Sequence, residues 1–358
     1  MNSAEIIRLR LQLHGLSVPG NLTPNEIVHH QGAMQSQEFG PAKWSVGQRI
    51  SGATEPAISR AIDAGEILRT HVLRPTWHFV APADIRWLLE LTGPRVHQGN
   101  AGRYRELGLD AETLAKSDAT IAAAVEGGRF RTRTDLAAYL DCAGIATDGQ
   151  RLAHMVMHAE LEGLICSGQV RGKQQTYALL SERAPQAKSL PRDEALAELI
   201  RCYFTSHGPA TINDFTRWSS LTVADTKRGI DSLGGELRSA SVDGRTYWFG
   251  ELPAEVVVEP SCTAHLLQAY DEYTNGYGES RDLFNPYVDR IAERIGAIHM
   301  FVIDGKVAGA WKRTTRAREI QIEVQPFREL TAAERDAVHR AAEAHGRFVG
   351  LTATLTFL

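Results

Sequence analysis

The sequence predicts an α+β fold: three tandem modules packed with a C-terminal β-barrel-like domain. Two observations predict it. An order of short helices followed by a two-stranded hairpin occurs three times in the first 250 residues. The remainder changes to several strands with one amphipathic helix, the pattern of a small curved sheet or barrel. Helix–helix–helix–hairpin is the order of a winged helix-turn-helix, whose third helix can enter a major groove while its hairpin touches the backbone beside it.

The first module is placed at 1–110. Ala4–Leu13 reads as a helix, and Thr23-Pro24-Asn25-Glu26 caps a second, with Pro at the first helical position. Pro41–Arg49 reads as a third and Pro56–Asp63 as a fourth, ended by Gly65. Ile67–Leu73 and Trp77–Val80 alternate as strands around Arg74-Pro75-Thr76. The second module, 111–185, has helices at Ala111–Val125, Thr134–Cys142 and Gly149–Glu162, then strands Leu164–Val170 and Gln174–Leu180 around Arg171-Gly172-Lys173. The third, 190–250, has helices at Arg192–Ser206, Ile212–Trp218 and Thr222–Leu233, then Leu237–Val242 and Thr246–Phe249 around Asp243-Gly244-Arg245, a hairpin signal. In 253–358, strands are expected at Glu255–Glu259, Ala297–Ile303, Lys306–Trp311, Glu319–Val324 and Phe348–Phe357. Thr331–Ala344 is a helix opened by a capping box of Thr331 and Glu334.

Composition narrows the function classes. Hydrophobic residues make up 43% and charged ones 23%, and no apolar run approaches a membrane span. The N-terminus reads as an amphipathic segment rather than a secretory signal, so the expectation is a cytoplasmic, nucleoid-associated protein without a membrane partner. The net charge of −4 argues against coating nucleic acid indiscriminately. That charge is uneven: residues 1–110 carry +1, 111–250 carry −1 and 251–358 carry −4, so any nucleic-acid face belongs to the first two thirds. Arg outnumbers Lys 32 to 7; Arg grips phosphates through a rigid fork of donors, though a high-GC genome produces the same bias. The four cysteines are dispersed and make neither a zinc ribbon nor a redox pair.

No nucleotide-binding glycine loop, nucleophile elbow or HExxH motif is present, so neither cofactor nor metal is expected. His154 and His158 stand one helical turn apart without an acid between them and read as core or surface histidines. Arg129-Phe130-Arg131-Thr132-Arg133 is a basic run that is either a phosphate contact, through Arg131 and Arg133, or a solvated loop. Lys173 joins these as a candidate DNA contact at a hairpin tip. The informative stretch is Met34-Gln35-Ser36-Gln37-Glu38. Two glutamines one residue apart beside an acid are costly as core, so they form either a polar site or a loop.

Met34–Glu38 with Ala42-Lys43-Trp44 resembles the Gln-x-Gln segment of the AlkZ-like (YcaQ-related) DNA glycosylases, also described as winged helix DNA-binding domain proteins. His71–Val80, containing Arg74-Pro75-Thr76-Trp77-His78 and followed by Asp84–Leu88, resembles that family's Arg-x-Thr-x-His strand and the helix behind it. Leu266–Tyr273 with Gly276-Tyr277 and Arg281, and Val302–Arg313, complete a set of matches in order over most of the chain. The resemblance implies tandem winged helices around a C-terminal β-barrel, forming a DNA-sized cleft. The implied activity is monofunctional removal of alkylated purines, in some members crosslinked ones, from double-stranded DNA, with Gln35 and Gln37 positioning the attacking water. Some relatives carry Gln-x-Asp instead; this chain keeps Gln37.

The chemistry is compatible. An N7- or N3-alkylated purine carries positive charge, so the base departs neutral and the site need only hold a water below C1′. Arg74, Thr76 and His78 alternate and so share one face of a strand, where they either grip a phosphate beside the glutamine pair or serve only as hairpin structure. Asp271 and Tyr273 are expected to orient the barrel against the modules. A monomer suffices, since one chain carries every module. The competing readings are a non-catalytic winged-helix DNA-binding regulator, which has no use for Gln35 and Gln37, and a scaffold without nucleic acid.

Overall fold

The computed structural model describes residues 1–255, 262–287 and 298–358. Most of the strand expected at Glu255–Glu259, and Ala297, lie outside them.

The first segment begins with α1 (Ser3–Leu13) and α2 (Pro24–Gln31), each opened by a capping box, on Asn2 and Thr23. The short strand β1 (Met34–Gln35) follows, then α3 (Phe39–Gly47), α4 (Glu55–Ala64), β2 (Leu68–His71), β3 (Trp77–Val80) and the 22-residue α5 (Ile85–Glu106). The second segment runs α6 (Ala111–Val125), β4 (Arg131–Thr132), α7 (Arg133–Cys142), α8 (Arg151–Leu161), β5 (Ile165–Ser167), β6 (Thr176–Leu179) and α9 (Leu180–Arg183). The third runs α10 (Arg192–Ser206), α11 (Ile212–Ser219), α12 (Val223–Ser232), β7 (Arg238–Val242) and β8 (Arg245–Phe249).

The three segments share more than an order of elements. A short extended stretch lies between the second and third helices of the first segment and between the first and second helices of the other two, and that stretch pairs with the last strand. β1 pairs β3, β4 pairs β6, and Ala210 bridges to Trp248 in β8. Sequence periodicity misses these stretches because two residues cannot show alternation. The hairpin turn of the third segment is built on Asp243 and Gly244, at φ +49° and +77°, the geometry that a two-residue turn demands.

In the last third, β9 (Ala264–Leu267), α13 (Glu272–Asn275) and a 3₁₀ turn at Glu279–Leu283 precede β10 (His299–Ile303), β11 (Lys306–Thr315) and β12 (Glu319–Pro326). Then come α14 (Ala332–Val349) and β13 (Thr352–Phe357). These strands form one sheet ordered β13-β12-β11-β10-β9. β12 and β13 are parallel, which requires the crossover that α14 supplies. α14 packs against both edge strands, β9 and β13, so the sheet curls round it as a half-barrel. Phe348 therefore belongs to the helix, not to the final strand expected from 348 onward. A register shift between Phe301 and Val302 helps the bending.

The core is shared. One cluster draws Leu11, Val72, Leu88, Tyr203, Trp218, Tyr273 and Val302 into contact, linking the first, third and C-terminal segments. The second segment and the half-barrel have clusters of their own. Two buried ion pairs pin the junctions. Arg49 of the loop after α3 grips Asp271 through two nitrogens at 2.8 and 3.0 Å, both side chains fully buried. Burial pushes the Asp271 carboxyl up, but the Arg49 guanidinium outweighs it and holds the group below its ordinary value. Arg10 of α1 donates to Pro209 O and Ser280 Oγ, and Asp214 of α11 accepts from the Gly278 and Ser280 amides. Gly305 sits at φ +78° because any Cβ there would lie 2.4 Å from Ile7 and 2.7 Å from the Tyr273 hydroxyl.

Candidate active site

The repeat isolates the Gln35–Glu38 stretch. In the second and third segments the short strand passes straight into a helix through a capping box, Thr132 with Asp135 and Thr211 with Asp214. In the first segment, Ser36, Gln37 and Glu38 intervene between β1 and α3, and α3 has no side-chain cap. A cap contributes about 1 kcal/mol of stability; the first segment forgoes it where its polar residues stand.

Gln35 lies opposite His78, and His78 opposite Thr70, in one cross-sheet row. Directly opposed residues share a face, so Gln35 and His78 point the same way, toward α13 and the end of α11. Gln35 is 5% exposed. Its side-chain oxygen accepts from Asn275 Nδ2 at 2.5 Å and Arg74 Nη2 at 3.0 Å. Both partners are donors, which fixes the amide's orientation. Its backbone is held as well: the amide donates to Glu272 Oε1 at 2.7 Å and the carbonyl accepts from Gln268 Nε2 at 3.3 Å.

Behind this contact lies a continuous polar chain. Glu272 is fully buried and also accepts from Trp218 Nε1 at 2.8 Å. Arg74 donates to the Trp218 carbonyl and to His78 Nε2. His78 Nδ1 faces the Thr76 carbonyl at 2.9 Å, so Nδ1 carries the proton and Nε2 accepts from Arg74. Burial, then the Arg74 charge, pushes His78 well below its ordinary value and keeps it neutral. Burial also lowers Arg74, which has a carboxylate near but none in contact.

Gln37 is exposed, and its side-chain oxygen accepts from the Trp77 amide at 3.3 Å. Among the described residues, no group accepts from the Nε2 of either glutamine. Ser36 and Gln37 are fixed through their carbonyls by Arg69, which stacks over Trp77 at 4.4 Å. Burial pushes Arg69 down to about 10. Beside Gln37, Glu38 lies 3.7 Å from His299 Nε2. His299 Nδ1 accepts from the Ala269 amide, so its N–H faces Glu38. Tyr270 stands on the same side, raised by burial and by the Glu38 charge. Arg313 of β11 reaches the same region.

The structure thus brings Gln35, Gln37, Arg74 and His78 together. Thr76 contributes its carbonyl, while its hydroxyl is buried without a partner. His78 is closed to solvent and presents no atom to a phosphate; it reaches the site through Arg74. The basic residues of the second segment stand apart. Arg131 donates to the Ala124 carbonyl and stacks over Tyr139 at 5.3 Å. Arg133 opens α7 and has no hydrogen-bond partner among the described residues, and Lys173 is exposed at the β5–β6 turn. Sequence reasoning misses Asn275, Glu272 and Trp218 as supports of Gln35. Their only signal is proximity to Asp271-Tyr273 and to a helix end, and neither announces a contact across 240 residues. Among the described residues around Gln35, no group has metal-ligand spacing.

The family described as DNA glycosylase AlkZ-like matches residues 28–348. An interstrand DNA cross-link repair glycosylase of Streptomyces sahachiroi is 24% identical over 358 residues, covering 94% of this chain and 95% of the relative. The fold is similar to the solved structure of the Streptomyces sahachiroi DNA glycosylase AlkZ, with a TM-score of 0.79, 21% identity and full coverage of both chains.

Proposed function

This chain belongs to the AlkZ-like DNA glycosylase family, and from that premise we propose that it hydrolyses the N-glycosidic bond of alkylated purines in duplex DNA. Bulky and crosslinked purines are among the proposed substrates, since the Streptomyces sahachiroi relative carries interstrand cross-link repair in its name. Gln35 and Gln37 hold the water. The supporting observation is that both glutamines are anchored by their carbonyl oxygens while, among the described residues, their amide N–H groups have no acceptor.

In this reading the C1′–N bond breaks first, its electron pair leaving with the cationic base, which departs neutral. The water lies with one lone pair accepting from the amide N–H groups and the other aimed at C1′. It bonds to the oxocarbenium-like sugar, and the protonated adduct passes its proton to bulk solvent on the exposed Gln37 side, leaving an abasic hemiacetal. Holding the reactants in line supplies most of the effect, so a neutral amide pair is adequate. Glu38 sits where its charge favours the cationic sugar. Because Gln35 Oε1 is engaged by Arg74 and Asn275, we assign Gln35 to donation rather than to accepting the water's proton. Arg74 and His78 act as positioning residues for Gln35, and Arg131, Arg133 and Lys173 are proposed to meet phosphates further along the duplex.

The winged-helix assignment of 1–110, 111–185 and 190–250, with the β-barrel-like 253–358, is part of the proposal. The recurrence of one short stretch pairing with the last strand in all three segments supports it. The test is incubation of the purified protein with methylated duplex and with a crosslinked duplex. Release of free base with alkali-labile abasic sites supports the proposal, and an intact backbone and bases on both substrates overturns it.

A further inference from the structure

A cluster between α5, α6 and α8 has no part in the proposed reaction. His97 on α5, His158 on α8 and Glu162, the residue that closes α8, each place one ligand-capable atom within 4.8 Å of the other two. His158 and Glu162 are four residues apart, so they share one helical face. His97 Nε2 lies 3.0 Å from Glu162 Oε1, and Asp118 Oδ2 of α6 lies 2.9 Å from His158 Nδ1. Among the described residues His97 Nε2 is buried and faces Glu162 Oε1 without an aligned hydrogen bond, while His158 Nδ1 faces Asp118 Oδ2. A buried imidazole nitrogen with no aligned hydrogen bond is costly as plain structure.

The rest of the surroundings also suits ligation. A ligating histidine usually engages its other nitrogen with an oxygen that fixes the ring. His97 Nδ1 lies 3.1 Å from the Tyr104 hydroxyl, and Asp118 stands beside His158. The two rings lie 4.8 Å apart, centroid to centroid. Ligand atoms about 2.0–2.2 Å from a tetrahedral ion sit roughly 3.3–3.6 Å from one another. The spread here closes by side-chain rotation, since Glu162 is half exposed and free to move inward. The sequence expects His154 and His158 as core or surface histidines; the histidine that joins His158 here is not His154 but His97 of α5.

We propose that His97, His158 and Glu162 form a site for a zinc-class divalent transition metal, with Asp118 and Tyr104 orienting the histidines. Two imidazoles and one carboxylate leave a fourth position for water, and they favour zinc, cobalt or nickel over magnesium or calcium, which take all-oxygen sets. The site joins α5 to α8, so an ion there fixes the first segment against the second. It shares no residue with the surroundings of Gln35 described above and does not depend on the proposed glycosylase reaction.

The full chain is stripped by chelator and titrated with Zn²⁺ by calorimetry and with Co²⁺ by visible absorption. The expected result is one saturable equivalent, with the d–d bands of a low-symmetry nitrogen–oxygen site. Affinity falls at least tenfold in His158→Ala and in His97→Ala, and melting temperature rises with metal in the wild type alone. Circular dichroism establishes that each variant is folded, and Glu162→Gln, the mildest change, weakens binding without altering the apo melting temperature. Absence of saturable binding in the wild type overturns the proposal. Undiminished binding in both histidine variants overturns it equally, because it places the ion elsewhere.

Discussion

Asn275 and Gln35, 240 residues apart, meet side chain to side chain at 2.5 Å, the Asn275 amide donating to the Gln35 carbonyl. With Arg74 on the same oxygen, the contact determines which end of the glutamine faces outward. The half-barrel's leading segment thereby sets the orientation of a residue in the first module. Replacement of Asn275 by Ala leaves Arg74 as the one donor to that oxygen among the described residues and lets the amide rotate. One neutral hydrogen bond is worth about 0.5–1.5 kcal/mol, so base release in single turnover is expected to slow roughly three- to tenfold. DNA affinity stays unchanged, which a filter-binding or anisotropy titration checks. Equal loss of affinity and rate would show a general disturbance instead.

Arg49 and Asp271 carry the adjoining junction, buried and bidentate. Removing one partner strands a buried charge, which costs about 3–5 kcal/mol. Asp271→Ala is therefore expected to lower the denaturation midpoint strongly. The double variant Arg49→Met with Asp271→Leu is expected to recover part of that loss, because no charge is left unpaired. Denaturant titration followed by tryptophan fluorescence reads both.

Acid is expected to destabilise the protein through its buried histidines. Burial holds His14, His78 and His207 below the ordinary 6.5, and pushes His265 down to about 4 and His345 to about 3. In the unfolded chain each takes up a proton near 6.5 while the folded state does not. The unfolded state therefore binds more protons at lower pH. Stability is fully present above that value and is lost as pH falls from 6.5 through 4. His29, raised by its hydrogen bond to Asp84, opposes this weakly because it is largely exposed. Melting temperature measured down this range checks the sign: a flat profile contradicts it.

Arg133 and Lys173 are predicted to act on DNA through charge alone. Each Ala variant is expected to weaken duplex binding about equally on all sequences and to reduce the salt slope by about 1. Base release at saturating DNA is unchanged. Affinity measured at several salt concentrations separates this from a structural effect.

The sequence made the longer elements legible, and for physical reasons. Helices such as Arg192–Ser206 and Ala111–Val125 agree with the structure to the residue, because an amphipathic face repeated over several turns leaves a strong period. The cap at Thr23 and the capping box of Thr331 with Glu334 located two helix starts. The strands β1 and β4 were invisible, being two residues long and formed only because a distant partner strand accepts them. At the site, Gln35 and Gln37 stood out as amides with no core role, and Arg74 and His78 by alternation. What alternation could not reveal is that His78 faces inward and serves Arg74, since that depends on packing against α11 and α13. Asn275 carries no local signal, and its role exists only in the folded chain.

The most direct test of the central claim is single-turnover release of 7-methylguanine from a defined duplex by the wild-type protein, Gln35→Ala and Gln37→Ala. Positioned water of this kind is worth on the order of 10²-fold or more. The account predicts that each substitution slows release by about that factor while duplex affinity holds within about twofold. Undiminished release by both variants, with the wild type active, would contradict it.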